Sequence, residues 1–471
     1  MDDEELKREI DAFVDRNRDA ILTDLDSLIR VPSVKGDAAP GAPFGSAVRR
    51  ALDTALGIAG RMGFDTADGE GYMGWADLPG ESEAILGLAA HLDVVPAGGE
   101  WLSDPFTLTR KDGFLIGRGV ADDKGPAVLM LYTALFLKEL CERTSMRLPY
   151  RLRVLFGCNE ETGMKCVQYY TKHYEMPAFC FTPDATFPVN YGEKGGMRAT
   201  LVSRKIENGT IRELAGGEAT NAVAGSARAL LRGKLCDCPA RENITVREEG
   251  DCVRITATGK PGHAAEPEKG VNAIALLVNY MLDYRLCTEE ENVFLRMQRK
   301  LLEATDGSNL GIAAADTYFT PLTCIGGKAD LAEGHIRQSV DVRFPTTQTA
   351  EKIEGVLRGM VESAGGTYEK GYVRKPFLID PESDLVQVCV GAYEEITGRK
   401  DKLLTTSGGT YAHNFSSAIC FGMEDPQKNY PEWVGDMHCA NEGTPEAWLF
   451  QSLKVYILAT LRLMRLQLSA R

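Results

Sequence analysis

Two histidines and five carboxylates carry the chemistry legible in this chain: His91, Asp93, Asp122, Glu160, Glu161, Asp184 and His438. His91 ends the apolar run Ala84–Ala90. Glu160 and Glu161 follow the run Arg151–Gly157, and Asp184 follows Ala178–Phe181. Any one of these acids, taken alone, reads as an ordinary surface-loop group. Together at the exits of several buried strands they converge, because an open α/β sheet gathers its ligands at the carboxyl ends of its strands. The chemistry such a set suits is hydrolysis with a pair of divalent cations. Asp122, Glu161 and Asp184 supply three negative charges, while neutral His91 and His438 add none. Two divalent cations bring four positive charges, and that excess acidifies nearby water. Asp122 opens Asp122-Asp123-Lys124-Gly125 at a tight turn into a helix, which suits it to bridge the pair. Asp93 is placed to accept the other N–H of the His91 imidazole. Of the tandem acids, Glu161 is assigned to the metal and Glu160 to the general base that takes a proton from water. Zinc is the expected ion, with manganese or cobalt also compatible with this mixed donor set.

The elements that must position these groups alternate. Helical spacing runs through Glu5–Ile29, stopped by Pro32, and through Ala47–Met62. A strand over Ala84–Ala90, a helix over Lys124–Leu140, a strand over Arg151–Gly157, a helix over Glu161–Tyr174 and a strand over Ala178–Phe181 follow. That alternation predicts an α/β domain with a mixed, mostly parallel sheet. After about residue 191 the pattern becomes antiparallel, with strands at Met197–Val202, Asp251–Thr258, Cys324–Ile325 and Ser339–Phe344 around a helix at Gly270–Leu286. Gly216-Gly217, the polar stretch Arg241–Gly250 and Asp306-Gly307 read as turns or loops. The α/β pattern returns with a helix at Asp384–Thr397, a strand at Ala418–Gly422 and a helix at Pro445–Arg465. Two domains are therefore predicted: residues 1–192 plus 378–471, and an inserted α+β domain over 193–377.

Composition narrows the partners. The chain has 471 residues, 44% of them hydrophobic, which is too many for one core and fits two domains. A formal charge of −14 repels nucleic acid and anionic membranes, so neither is an expected partner. No apolar run reaches the ~20 residues of a membrane span. The N-terminus, Met1-Asp2-Asp3-Glu4-Glu5, is acidic where a signal peptide is basic. Twelve cysteines are scattered without regular spacing, the closest pair being Cys236 and Cys238. They read as reduced thiols, and the expected location is the cytoplasm.

The motifs resemble those of the M20 family of metallopeptidases. They stand here as His91-Leu92-Asp93-Val94-Val95-Pro96, Gly117-Arg118-Gly119 followed by Asp122-Asp123-Lys124-Gly125-Pro126, Asn159-Glu160-Glu161-Thr162-Gly163, and Pro183-Asp184. The likeness runs from Ile29–Val34 to His438. Within the family the sequence is most similar to PepV/Sapep-type dipeptidases, through Phe181-Thr182-Pro183-Asp184-Ala185-Thr186-Phe187-Pro188, Gly192-Glu193-Lys194-Gly195 and the long insertion. The resemblance implies a zinc-peptidase-like catalytic domain in which His91, Asp122, Glu161, Asp184 and His438 bind two metals and Glu160 is the base. It also implies a cis Asp122–Asp123 bond.

In the insertion, His263 stands in Gly259-Lys260-Pro261-Gly262-His263-Ala264-Ala265 and resembles the family's lid histidine, which stabilises the oxyanion. Asn221 and Arg343 match positions that contact substrate, and a guanidinium at 343 suits a C-terminal carboxylate. Gly408, Gly409 and Thr410, in Ser407-Gly408-Gly409-Thr410-Tyr411, resemble a backbone-lined pocket for the substrate's terminal group. Two departures bear on which substrate fits: Tyr411-Ala412-His413-Asn414 lacks an arginine expected after Tyr-Ala, and Ala224-Gly225 replaces a proline. His173 and His335 have no motif around them and are expected to be structural. The implied activity is hydrolysis of dipeptides by one chain acting as a monomer, with the inserted domain closing as a lid. An N-acyl amino acid deacylase would use the same metals on a different amide. A non-catalytic peptide-binding protein would keep the fold and lose a ligand or the base.

Overall fold

The structure is a computed structural model, and it describes residues 3–234 and 238–468. Met1, Asp2 and Cys236 therefore lie outside the described residues. The chain divides into two compact units. One comprises Met1–Tyr191, Leu378–Leu404 and Gly409–Arg471; the other comprises Gly192–Phe377 and Thr405–Gly408.

The first unit is built on a mixed sheet whose central strands are parallel. Tyr150–Gly157, Ser82–His91, Phe179–Thr182 and Ala418–Cys420 lie side by side in that order. Antiparallel strands Met73–Leu78 and Asp65–Gly69 extend one side. Ser82–His91 is buried from Ile85 to its end, because a parallel strand covered on its faces tolerates little but apolar residues. The helix Lys124–Thr144 packs on that strand and on its neighbour Tyr150–Gly157. It is buried over most of its circumference, as is the C-terminal helix Glu446–Leu463 packed against it. The amphipathic helix Asp3–Ile29 covers both. An aromatic cluster of Phe181, Phe187, Phe421, Trp448 and Tyr456 fills the space under the last strand, with ring centroids 5.2–6.0 Å apart.

The second unit is an antiparallel sheet with helices on it. Its strands run in the order Ile244–Glu249, Cys252–Thr258, Ser226–Arg232, Ile211–Gly216, Ala329–Ala332, His335–Phe344, Gly195–Val202, Thr367–Arg374. Alternate residues of these strands face the helices Ala273–Asp283, Glu289–Leu302 and Ala350–Ser363 in one continuous core. Helix Glu289–Leu302 opens with a full capping box between Thr288 and Glu291. The stretch expected to be loop at Arg241–Gly250 instead contains the strand Ile244–Glu249. Its apolar alternation is only two residues long, Ile244 and Val246, both half-buried against the core, before the charged run Arg247–Glu249, and that is too short to read as a strand.

Thr405–Gly408 groups with the second unit rather than with the flanking first-unit residues. The reason is local hydrogen bonding. Arg343 Nη1 donates to the Ser407 carbonyl at 2.6 Å, and Arg374 Nη2 donates to the Gly408 carbonyl at 2.6 Å. Among the described residues, no helix is long and apolar enough to cross a membrane.

Candidate metal centre

His91 is the last residue of its strand and pairs with Gly157, the last residue of the next. Parallel strands exit on the same side, so the loops after Gly157 and Thr182 deliver Glu160, Glu161 and Asp184 to His91. Tight local bonding shapes the Glu160 loop. Asn159, fully buried, takes the Lys165 N–H on its Oδ1 at 3.1 Å, and its carbonyl takes the Met164 N–H at 2.7 Å. The helix predicted from Glu161 therefore starts only at Lys165, after Met164 in a left-handed conformation. Glu161 lies in the turn before it, free to aim at the site. Gly157 must be a glycine: a Cβ there would stand 1.8 Å from the Tyr411 hydroxyl, which lies 2.9 Å from Cys166 Sγ.

Asp122 lies between the two imidazoles. Its Oδ1 is 2.9 Å from His91 Nε2 and its Oδ2 is 2.9 Å from His438 Nε2. His438 Nε2 is also 3.2 Å from Glu161 Oε2, and His91 Nε2 is 3.9 Å from Asp184 Oδ2. Donor atoms of His91, Asp122 and Glu161 lie within 4.8 Å of one another, and so do those of His91, Glu160 and Asp184. The tandem acids thus both face the site, each in a different group. The Asp122–Asp123 peptide bond is cis.

The atoms that meet here fit cations better than hydrogen bonds. His91 Nε2, Asp122 Oδ1 and Glu161 Oε1 are buried and have no hydrogen-bond partner. The short His91–Asp122 separation is thus not an aligned donor–acceptor pair, and both atoms present lone pairs to shared space. His91 Nδ1 sits 2.9 Å from the Asp93 carbonyl. A carbonyl only accepts, so Nδ1 carries the proton and Nε2 is left as a ligand atom. The Asp93 carboxylate was expected in that role but lies 3.6 Å from Nδ1. It accepts instead the backbone N–H groups of Glu160 at 2.9 Å and Glu161 at 3.2 Å. The competing claim of two loop amides explains the difference.

Electrostatics agree. Burial, reinforced by Asp122 and Glu160, pushes the Asp184 carboxyl well above its usual range. Burial does the same to Glu160, with Glu161, Asp93 and Asp122 adding repulsion against the pull of His91. Crowded buried carboxylates of this kind call for positive charge. His438, held by Asp122 and Glu161, is raised to about 10, although its side chain is 56% exposed.

Several supporting residues were not singled out from the sequence. Asp123, fully buried, accepts the His91 backbone N–H at 3.0 Å. Lys124, fully buried, donates to the Leu28 and Val31 carbonyls at 2.9 and 2.6 Å, tying the Asp122–Asp123 turn to the end of the first helix. Burial lowers it to about 7 against the opposing pull of Glu442 and Asp93. Arg118 and Glu442 form a buried ion pair beside Asp122. Arg118, Asp123 and Lys124 stand inside the quoted motifs, and Glu442 follows His438 by four residues; that proximity was the available signal.

The remaining expected residues lie in the second unit or at its border. His263 pairs across a two-residue ladder with Ala222, next to Asn221, whose carbonyl accepts the Ala264 N–H at 3.1 Å. Burial, then Arg343, lowers the His263 pKa. Arg343 also donates through Nε to Asp341 at 3.2 Å. Gly408 N–H donates to Thr406 Oγ1 at 2.9 Å, and in the first unit Thr410 Oγ1 accepts the Ala412 N–H at 3.1 Å. Asn414, at the departure noted above, donates to Met164 Sδ at 3.4 Å. His173 stacks on Tyr169 with ring centroids 4.0 Å apart, and His335 Nδ1 meets the Ser203 carbonyl at 2.8 Å.

A sequence profile described as "Peptidase family M20/M25/M40" matches residues 87–462. The chain is 30% identical over 432 residues to the "Putative dipeptidase YtjP" of Bacillus subtilis (strain 168), covering 86% of this chain and 90% of that protein. Among solved structures, the dipeptidase Dug1p from Saccharomyces cerevisiae superposes with a TM-score of 0.61 at 12% identity, covering 97% of this chain and 98% of its own. Human carnosine dipeptidase 1 superposes with a TM-score of 0.59 at 14% identity, covering 98% of this chain and 100% of its own.

Proposed function

The chain belongs to peptidase family M20/M25/M40, and from that premise we propose that it is a dipeptidase working with two divalent cations, zinc by default. One observation carries the reading: each oxygen of the Asp122 carboxylate stands 2.9 Å from a different imidazole Nε2. A carboxylate shared in this way would bridge two cation positions. His91 and Asp184 would complete one, Glu161 and His438 the other. When bound, the ions would polarise the scissile carbonyl and acidify the attacking water.

The chain's own residues would do the rest. Glu160 would take the proton of the attacking water and return it to the leaving amine. Asp93 would hold Glu160 and Glu161 in register through their backbone amides. For the second unit, we assign the substrate's C-terminal carboxylate to Arg343, and contacts to the scissile amide and oxyanion to Asn221 and His263.

A panel of Leu-Leu and Ala-Ala against N-acetyl amino acids tests the reading. Dipeptides are hydrolysed and N-acetyl amino acids are not; the reverse preference would make the enzyme a deacylase. Glu160→Ala lowers the rate by about 10²–10⁴-fold with metal content unchanged. Loss of a metal in that variant would make Glu160 a ligand, and a wild-type rate would remove it from the chemistry.

A further inference from the structure

The Arg118–Glu442 pair is one of the most deeply buried ion pairs in the first unit, each side chain 1% exposed. Desolvating two charges is costly, so such a pair makes a weak case for stability alone. Its contacts are directional. Glu442 Oε2 receives Arg118 Nη1 at 2.6 Å. Glu442 Oε1 receives three amides of one loop, from Gly119 at 3.1 Å, Ala121 at 3.0 Å and Asp122 at 3.1 Å. The last of these is the N–H of the bridging aspartate itself.

Arg118 Nη2 reaches the other way. It donates to the carbonyls of Ala97 at 2.9 Å, Pro96 at 3.3 Å and His438 at 3.3 Å. The Trp101 ring covers the guanidinium, 5.2 Å from its carbon. His438 lies outside helix and strand, at a φ of 66°, in a loop where Asn441 also has a φ of 59°. Non-glycine residues there are held by their surroundings. A single ion pair therefore sets the main chain of Asp122 and of His438 together. His91 has separate support, from Asp123 on its N–H and the Asp93 carbonyl on its Nδ1.

We infer that Arg118 and Glu442 are positioning residues for the metal position formed by His438, Asp122 and Glu161, and that they set its affinity more strongly than that of the position formed by His91 and Asp184, which they reach through Asp122 alone. This rests on the two-metal reading above. Neither residue touches substrate or metal; both act through the backbone of the ligands.

The test is Co²⁺ titration of the full chain against a metal-buffering chelator, followed by visible absorption. Wild type takes up two Co²⁺. His438→Ala identifies the step that belongs to its position. Arg118→Lys and Glu442→Gln bind Co²⁺ at the His438 step roughly 10–100-fold more weakly and at the other step with a smaller loss, transmitted through Asp122 alone. Asp77→Asn is the control: Asp77 pairs with Arg153 at 2.7 and 2.6 Å and contacts none of the ligands. It lowers the unfolding midpoint and leaves both Co²⁺ steps unchanged. Unchanged binding in Arg118→Lys and Glu442→Gln overturns the inference. So does equal weakening of both steps, or a control that weakens the His438 step as much. A wild type that binds fewer than two Co²⁺ overturns the two-metal reading itself, and this inference with it. If Glu442→Gln fails to fold, Arg118→Lys, which keeps the charge, decides alone.

Discussion

Asp93→Asn is the sharpest single perturbation of the site. Asp93 is buried, and its two oxygens divide the Glu160 and Glu161 amides between them, at 2.9 and 3.2 Å. Asparagine offers one oxygen and one NH₂ group. Whichever way it is turned, one backbone donor faces another donor. An unsatisfied buried donor costs about 1–3 kcal/mol, and a lost hydrogen bond to a charged acceptor about 1.5–3 kcal/mol. These overlap, so the metal-free variant should lose about 2–4 kcal/mol in urea unfolding at pH 7. Loosening the Glu160–Glu161 turn should also weaken metal binding roughly 10–100-fold. The His91 tautomer should not change, because the Asp93 carbonyl, not the carboxylate, meets Nδ1. Nitrogen NMR of the imidazole reads this directly. A stability loss under ~0.5 kcal/mol with wild-type metal affinity would refute the reasoning. A switched His91 tautomer would show that the carboxylate orients the ring after all.

Arg343→Lys keeps the charge and gives up the planar fork, so KM for a free dipeptide should rise roughly 10–100-fold while the amide of the same dipeptide is unaffected; equal effects on both would remove Arg343 from the carboxylate. Lys194 is buried, and burial, helped by Arg343, depresses its pKa to about 8. Between that value and the ordinary lysine range the unfolded chain binds more protons, so stability gains a contribution that rises with pH in this window and is absent below it. Lys194→Met removes that rise. Urea midpoints of the two proteins from pH 7.5 to 10 measure it, and parallel curves would contradict the depressed value.

Much of the first unit was legible because its signals are local. The apolar run ending at His91 became the buried strand Ser82–His91, and the helix expected at Asp384–Thr397 occupies those residues. The meeting of His91, Glu161 and Asp184 followed from strand exits, whereas Asp122 and His438 were joined to them through the resemblance to the family. What escaped was decided by competition between partners. The Asp93 carboxylate could serve an imidazole or two amides, and only the loop's conformation settles which. The helix after Glu161 starts late because Asn159 bonds across the turn, a contact that periodicity does not report. The pairing of Arg118 with Glu442 joins residues far apart in sequence, beyond any pattern. Strand Ile244–Glu249 was missed because only Ile244 and Val246 turn toward the core and the charged residues after them read as loop.

That same strand has a consequence for how the chain behaves at high concentration. It forms one rim of the second unit's sheet, and Thr367–Arg374 forms the other. Arg247, Glu248 and Glu249 on the first rim, and Glu369 and Lys370 on the second, are exposed. A strand from a neighbouring molecule would have to strip water from these charges before it could add to the ladder. The open margins of the sheet are thereby made poor templates for growth, and the fold guards itself against fibre-like stacking at the places where its backbone hydrogen bonds run out.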